Sequence, residues 1–466
     1  MKKIVLFCFL FISNWASAQE SVYYFLDEAL ANKEKASKLR IVKKRLNALS
    51  PKVGQLLALE VLDITENKIT VLPDEIGNLT RLKELELFNN PLRKLPKTLN
   101  QLQNLEYINL QETPLLDLSN ALFLMKDLPK LQILVLRGSR LTKLPQQIGL
   151  LQRLEDLDLA ANQLQVLPEE VKNLKNLKVL NLKFNQFSHL PDWIGDLEKL
   201  QILHLSNNKL TALNPTIGKL TNLEVLHLQN NKLQNLPSQI GQLRKLKMLY
   251  LTKNPISELP KEMVDLENLE TLHLDSTSIK SLPDSLSKLK KLNSLSVGNN
   301  PNLDWNVFFE QISAFPNLEN LQIEKSELQN LPESVRKMKK LYRINLSNNP
   351  KTNWENFMED LSKFPYLVSI KLERNHLKTL PESISKIKFI KELHLADNQL
   401  SKLPSQLEEF EYLEILDIRN NQLTSLPESL KNLKNLKVIS MGGNKISEAE
   451  QKRLESILPK VRLMFW

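Results

Sequence analysis

Cysteine is all but missing from this chain of 466 residues: Cys8 is the single one, and it stands in an N-terminal stretch with the pattern of a leader. Beyond that stretch no disulfide, thiolate metal site or cysteine nucleophile is expected. Glycine is scarce, ten in all, and none is arranged as Gly-x-Gly-x-x-Gly or in a phosphate loop. His-Glu-x-x-His is absent too, so the short signatures of nucleotide binding and zinc hydrolysis are lacking. No apolar run approaches the roughly 20 residues of a bilayer-spanning helix. Carboxylates are plentiful, but the sequence places none in a closed pocket that would shift its pKa. The chain is read as no enzyme, with no catalytic residue, no cofactor and no metal ligand set.

Residues 1–18 have the layout of a secretory signal. Lys2 and Lys3 start it, Ile4 to Ile12 form the apolar run, and Ala16-Ser17-Ala18 makes a small-residue cleavage site before Gln19. Phe7 precedes Cys8, unlike a lipid-attachment site. Export to the periplasm or the outside is expected, with no membrane anchor after cleavage. The formal charge is +10, and loss of Lys2 and Lys3 lowers it by two. Both signs are interspersed throughout, whereas nucleic-acid binders gather Lys and Arg on one face with aromatics between. A soluble monomer without a nucleic-acid partner is expected. Secreted chains that lack cysteine must close their ends by packing alone, which points to a bacterial exported protein.

What the sequence has in abundance is one phrase, L-x-x-L-x-L-x-x-N-x-L-x-x-L-P-x-x-I-G-x-L-x-x, repeated from Leu59 to Asn435. Units open at Leu59, Leu82, Leu105, Leu131 and so on to Leu413; thirteen of the sixteen are 23 residues long and three are 26. A unit this short cannot bury its apolar side alone, so neighbours must stack into one continuous core. In L-x-x-L-x-L the alternation has period two, which predicts a short strand with its leucines inward and the residue between them outward. The next fixed position is Asn in thirteen of seventeen units counted to Asn444 and Thr113, Ser139, Thr277 or Ser326 in the others. Its amide can satisfy backbone groups freed where the chain leaves the strand. The Leu-Pro step that follows (Pro73, Pro96, Pro145 and nine more) favours extended or short-turn backbone over a long helix.

Three units, 105–130, 292–317 and 341–366, lack the Leu-Pro step at its place after the Asn position and carry three extra residues. In the last two, apolar residues at helical spacing (Trp305, Phe308, Phe309, Ile312; Trp354, Phe357, Met358, Leu361) end at Pro316 and Pro365. The spacing predicts α-helices there. Residues 21–32 predict an amphipathic helix and 36–58 a degenerate first repeat. Ser447-Glu448-Ala449-Glu450 fits a capping box that starts a helix stopped by Pro459, before a last strand from Val461 to Trp466. The expected organisation is a signal peptide at 1–18, a cap and degenerate repeat at 19–58, sixteen repeats at 59–435, and a last half repeat with a C-terminal cap at 436–466. The fold class is α/β: a solenoid with a curved parallel sheet on its concave face and mostly short turns, with a few helices, on its convex face.

The repeated phrase, above all L-P-x-x-I-G-x-L-x-x-L-x-x-L-x-L-x-x-N-x-L, resembles the Ras-group or scribble-like class of leucine-rich repeat proteins and their bacterial relatives. That resemblance implies scaffolds, receptors, adhesins or effectors that bind other proteins on the concave face. Relatives that are ubiquitin ligases, kinases or GTPases carry extra catalytic segments that this chain lacks.

The residue between the two inward leucines forms one column along the array: Arg40, Asp63, Glu86, Asn109, Val135, Asp158, Asn181, His204, His227, Tyr250, His273, Ser296 and onward to His394, Asp417 and Ser440. Four of the six histidines fall in it. His204, His227, Tyr250 and His273 are expected side by side, with Phe184 and Lys253 close by. Flat amphipathic side chains on a rigid sheet anchor protein partners, so these six residues are the candidate partner-binding set. The first repeats present an acidic face (Asp63, Glu84, Glu86) beside a basic cap (Lys38, Arg40), with Arg40 facing Asp63. Two other readings stand beside the protein-binding one: glycan or cell-wall binding, drawing on Tyr107, Tyr250 and Phe88, and a structural surface protein.

Overall fold

A computed structural model describes residues 22–466; the expected signal peptide and Cys8 lie outside the described residues. The chain forms two compact units, Met1–Val179 and Leu180–Trp466. In the first, strands Val22–Tyr23, Lys38–Arg40, Val61–Asp63, Glu84–Glu86, Tyr107–Asn109, Ile133–Val135 and Asp156–Asp158 each pair in parallel with the next. In the second, the strands from Ile202–His204 to Arg462–Met464 do the same. Parallel pairing is forced, because every strand is followed by a crossover that returns the chain to the same end. Each unit is a leucine-rich repeat solenoid.

In the three-residue strands of the repeats the middle residue points inward, and Leu62, Leu85, Ile108, Leu203, Leu226 and Leu249 are fully buried. The core lies between the strands and the outer segments. The strands of the repeats end after three residues, where the Asn four residues on takes up the carbonyl just beyond the strand. Asn208 Nδ2 donates to Leu205 O of its own repeat (3.0 Å) and to Leu182 O of the repeat before (3.0 Å), while its Oδ1 accepts from Phe187 N (3.1 Å). Asn231 repeats the pattern one unit later with Leu228 O, Leu205 O and Leu210 N. Where Thr277 stands, its hydroxyl has Leu274 O (2.9 Å) and Asn300 Oδ1 (2.7 Å) within hydrogen-bond reach of its one proton, and Asn300 Oδ1 also accepts from Thr277 N (2.9 Å), so the neighbouring amide makes up part of the difference.

After the Leu-Pro step the chain winds into five-residue 3-10 turns, as at Asp74–Asn78 and Ser238–Gln242. Gly241 shows why Ile-Gly recurs there: a Cβ on it would sit 2.3 Å from the backbone oxygen of Glu262 in the next turn. The long units instead carry the α-helices Leu118–Met125, Trp305–Ile312 and Trp354–Leu361. Asp304 caps the second, accepting from Asn306 N and Val307 N.

At the N-terminus the helix is shorter than the apolar spacing predicts. Val22–Tyr23 pairs with Lys38–Leu39 as an edge strand, leaving Leu26–Ala31 helical. At the C-terminus, Ser447 Oγ accepts from Glu450 N (3.3 Å) at the start of the helix Glu448–Ile457. The reciprocal half of the box is not made, because Glu450 Oε1 accepts from Leu426 N (3.0 Å) and is held by Arg453 (2.7 Å). Among the described residues, no helix is long and apolar enough to cross a membrane.

Candidate functional site

The strand face is lined by the residues that point away from the core, and the repeat itself dictates what suits it. In several units the column residue is Asp or Asn, whose side-chain oxygen accepts the backbone N–H two residues on: Asp63 from Thr65 (3.0 Å), Asn109 from Gln111 (2.9 Å), Asp158 from Ala160 (2.8 Å) and Asn345 from Ser347 (3.0 Å). This local bond eases the exit from the strand. Four consecutive repeats of the second unit give up an Asx residue there and place rings instead.

Because the strands pair without stagger, His204, His227, Tyr250 and His273 stand directly opposite one another in register. The His204 and His227 rings stack with centroids 4.5 Å apart and planes at 20°. His227 and Tyr250 stack at 4.5 Å and 2°, and Tyr250 meets His273 edge-on at 4.9 Å. Burial disfavours imidazolium in this row; neighbouring positive charge adds to it at His204 and His227, and Asp275 opposes it at His273. His204 is pushed down to about 3 by burial, His227 and Lys183; His227 is pushed down to about 4, chiefly by burial. Burial lowers His273 as well and raises Tyr250. At neutral pH the row is uncharged, which is what permits two imidazoles to stack.

The side chains around it were not singled out by the sequence. Gln229 Nε2 donates to His227 Nδ1 (3.0 Å), and the Tyr250 hydroxyl donates to Met248 Sδ (3.5 Å). Ile202, Val225, Met248 and Thr271 form the adjacent column of the same face. Following that second column would have exposed its lack of charge.

Phe184 and Lys253 are placed differently from the rings. Both sit in the turn just beyond a strand, in left-handed backbone (φ 56° and 58°), their N–H groups donating to Ser206 O and Asp275 O. Phe184 is 52% exposed. A bulky apolar residue is a poor choice for left-handed backbone, where Asn is favoured; Asn207 and Asn230 fill the same position in the next two repeats. Phe184→Asn is therefore expected to raise stability by about 1 kcal/mol, measured by urea denaturation. A lower midpoint would show that the ring makes contacts of its own.

The face of the first unit differs. Burial raises the carboxyl pKa of Glu84 and Glu86, and Tyr107, crowded by burial and by Glu86, is raised too. Tyr107 is thus tied into an acidic cluster. Asp156 is pushed up to about 7 by burial and by Asp158. At the basic end Lys83 pairs with Glu60 (2.7 Å) and Lys43 with Glu66 (3.1 Å), while Arg40 and Asp63 are opposite in register.

Residues 115–205 and 238–363 match the family described as leucine-rich repeat region; 34–92 and 198–256 match leucine rich repeat, and 413–452 match leucine rich repeats in two copies. No curated protein matches the chain. Among solved structures, a leucine-rich repeat protein of Leptospira interrogans is 30% identical over 96% of this chain and 100% of its own, with a TM-score of 0.60. The ectodomain of the Arabidopsis thaliana membrane receptor kinase GASSHO1/SCHENGEN3, solved with CASPARIAN STRIP INTEGRITY FACTOR 2, is 26% identical over 88% of this chain and 58% of its own, TM-score 0.52. TLR13, solved with ssRNA13, shares the fold at 21% identity, 95% and 80% coverage and a TM-score of 0.62. With so full a likeness to the Leptospira protein, and repeat matches in both units, the chain belongs to the leucine-rich repeat family.

Proposed function

We propose that this chain is an exported, monomeric leucine-rich repeat protein of the 23-residue class that binds a protein partner on its strand face, the concave side of such solenoids, without performing chemistry. The observation that carries the reading is the ring row. Four successive repeats replace the Asx residue that suits the strand exit with His204, His227, Tyr250 and His273, and the result is an uncharged aromatic strip beside an uncharged column. Charge depletion with aromatic enrichment is the signature of an interface centre. Phe184 and Lys253 stand at the margin of the strip. The Arabidopsis ectodomain, solved with a factor bound, supports a binding role for the fold.

The test is a partner captured from the cell envelope, the medium or contacted cells, followed by its affinity for His204→Ala/His227→Ala. Affinity is expected to fall at least about thirtyfold, the equivalent of one hot spot, with an unchanged melting temperature at neutral pH. Equal affinity for the double variant and the parent sinks this site.

Glycan binding has a specific observation in its favour elsewhere in the second unit. Tyr366, Phe389 and Tyr412, which precede the opening leucine or isoleucine of three successive repeats, are 48%, 42% and 43% exposed and lie 5.8 and 5.9 Å apart, centroid to centroid. Asn or Lys usually holds that position, as with Lys245 Nζ donating to Asn222 Oδ1 (2.7 Å). A glycan array read with the parent and with Tyr366→Ala/Tyr412→Ala separates this reading, since a signal lost only in the second variant belongs to that row.

A further inference from the structure

Farther along the second unit, three adjacent strands, Ser369–Lys371, Glu392–His394 and Ile415–Asp417, bring a different set of groups together on the strand face. His394 lies opposite Lys371 on one side and Asp417 on the other. Glu373, two residues beyond Lys371, reaches the same spot diagonally: one ligating atom from each of Glu373, His394 and Asp417 lies within 4.8 Å of the others. Asp417 is only 5% exposed. His394 Nδ1 is 4.0 Å from Asp417 Oδ2, and its Nε2 is 3.8 Å from Glu392 Oε2. A groove of about 340 Å³ opens beside the cluster, with Lys371, Glu392 and His394 in its wall. A cation already serves the buried carboxylate: Arg419 Nε and one terminal nitrogen donate to both oxygens of Asp417, at 2.9 and 2.6 Å. Burial pushes the Asp417 carboxyl up, but the hydrogen bonds from Arg419 outweigh it and hold it below the usual carboxylate range.

We propose that Glu373, His394 and Asp417 form a site for a divalent transition-metal ion of the zinc type, with Arg419 as a built-in competitor for Asp417. Two carboxylates and one imidazole are a borderline-soft ligand set, suited to zinc and its first-row neighbours and ill suited to calcium, which takes oxygen alone. Metal–ligand distances of about 2.0–2.2 Å put ligand atoms roughly 3–3.6 Å apart around one ion, so a triangle of this size closes by small side-chain rotations. The Arg419 side chain is 52% exposed and free to turn into solvent when the ion enters. Three protein ligands leave a fourth position for water or for a group lying in the groove.

The experiment is calorimetric titration of the full chain with Zn²⁺, and with Ca²⁺ in parallel, on the parent, His394→Ala and Arg419→Gln. One Zn²⁺ per chain and no calcium heat are expected for the parent. His394→Ala is expected to lose at least about tenfold in zinc affinity, and Arg419→Gln to gain about tenfold, the scale on which single groups around a metal act. Arg419 is on the surface, so its variant keeps the test open even where His394→Ala misfolds. The gain is also a readout that an ion network with a purely structural role does not produce. Absence of zinc binding in the parent, equal binding in parent and His394→Ala, or no tightening in Arg419→Gln overturns the proposal.

Discussion

Acidification from neutral pH to pH 4 is expected to destabilise the second unit by about 6 kcal/mol through His204 and His227 alone. Both have folded pKa values, about 3 and about 4, far below the 6.5 of an unfolded histidine. The sign follows from which state holds more protons. Between 6.5 and the folded values, unfolded imidazoles are protonated and folded ones are not, so protons favour unfolding. The stability is fully present above 6.5 and is lost as pH falls towards the folded values. Two groups give a slope of at most about 2.7 kcal/mol per pH unit, and the flattening of the curve near 6.5 and near 4 brings the total over this range to about 6 kcal/mol. Urea denaturation of the parent and of His204→Gln/His227→Gln at neutral pH and at pH 4 isolates the effect, because carboxylates titrate alike in both proteins. The variant should keep several kcal/mol more of its stability on acidification. Equal losses would mean that the stacked rings are better hydrated than their burial implies.

The first unit should respond to pH in the opposite direction. Asp156 titrates near 7 when folded against 3.8 in the unfolded chain, because burial and the neighbouring Asp158 disfavour its charge. Its folded form holds the proton over that window, so the associated stability is present below 3.8 and is lost as pH rises through 7. The span corresponds to about 4 kcal/mol. Asp156→Asn keeps the shape and polarity of the protonated acid and removes the titration. It should therefore leave stability nearly unchanged at pH 4 and raise it above pH 8, in a denaturation experiment that follows the first unit. A parent whose stability is flat from pH 4 to pH 8 would show that water reaches the carboxyl. In each case the strand face holds a group in its uncharged form, at the expense of fold stability on one side of neutrality.

Much of this is legible in the amino-acid sequence itself. The period and the alternation L-x-x-L-x-L fixed strand positions and core leucines, since a short unit has one way to bury them. The last two long units announced their helices by losing the Leu-Pro step and gaining Phe and Trp at helical spacing, whereas the helix Leu118–Met125 of the first is marked only by the extra length. The ring row was legible as a column because parallel strands without stagger turn repeat spacing directly into adjacency. The depressed basicity of His204 and His227 was not, since it depends on how deeply rings from neighbouring strands pack and on Lys183, which belongs to the next column. Glu373, His394 and Asp417 escaped for a related reason: they cross two columns diagonally, and a column read on its own does not show diagonals. Tyr366, Phe389 and Tyr412 share one phase and could have been found by following the residue ahead of each opening leucine. At the N-terminus, apolar spacing alone could not tell that Val22 and Tyr23 pair as a strand edge.

The asparagine ladder has a bearing on how such a chain changes over generations. Asn208 and Asn231 each bond once within their own repeat and once to the repeat before, by the same atoms at nearly the same distances. A whole unit duplicated or deleted in frame therefore presents its neighbours with the contacts they already had. The three-residue insertions fall between this amide and the next opening leucine, where they lengthen the outer wall and leave the strand spacing intact. A lineage can thus add, drop or shuffle units as interchangeable words, varying one outward letter in each, and rewrite what the surface recognises without solving the folding problem again.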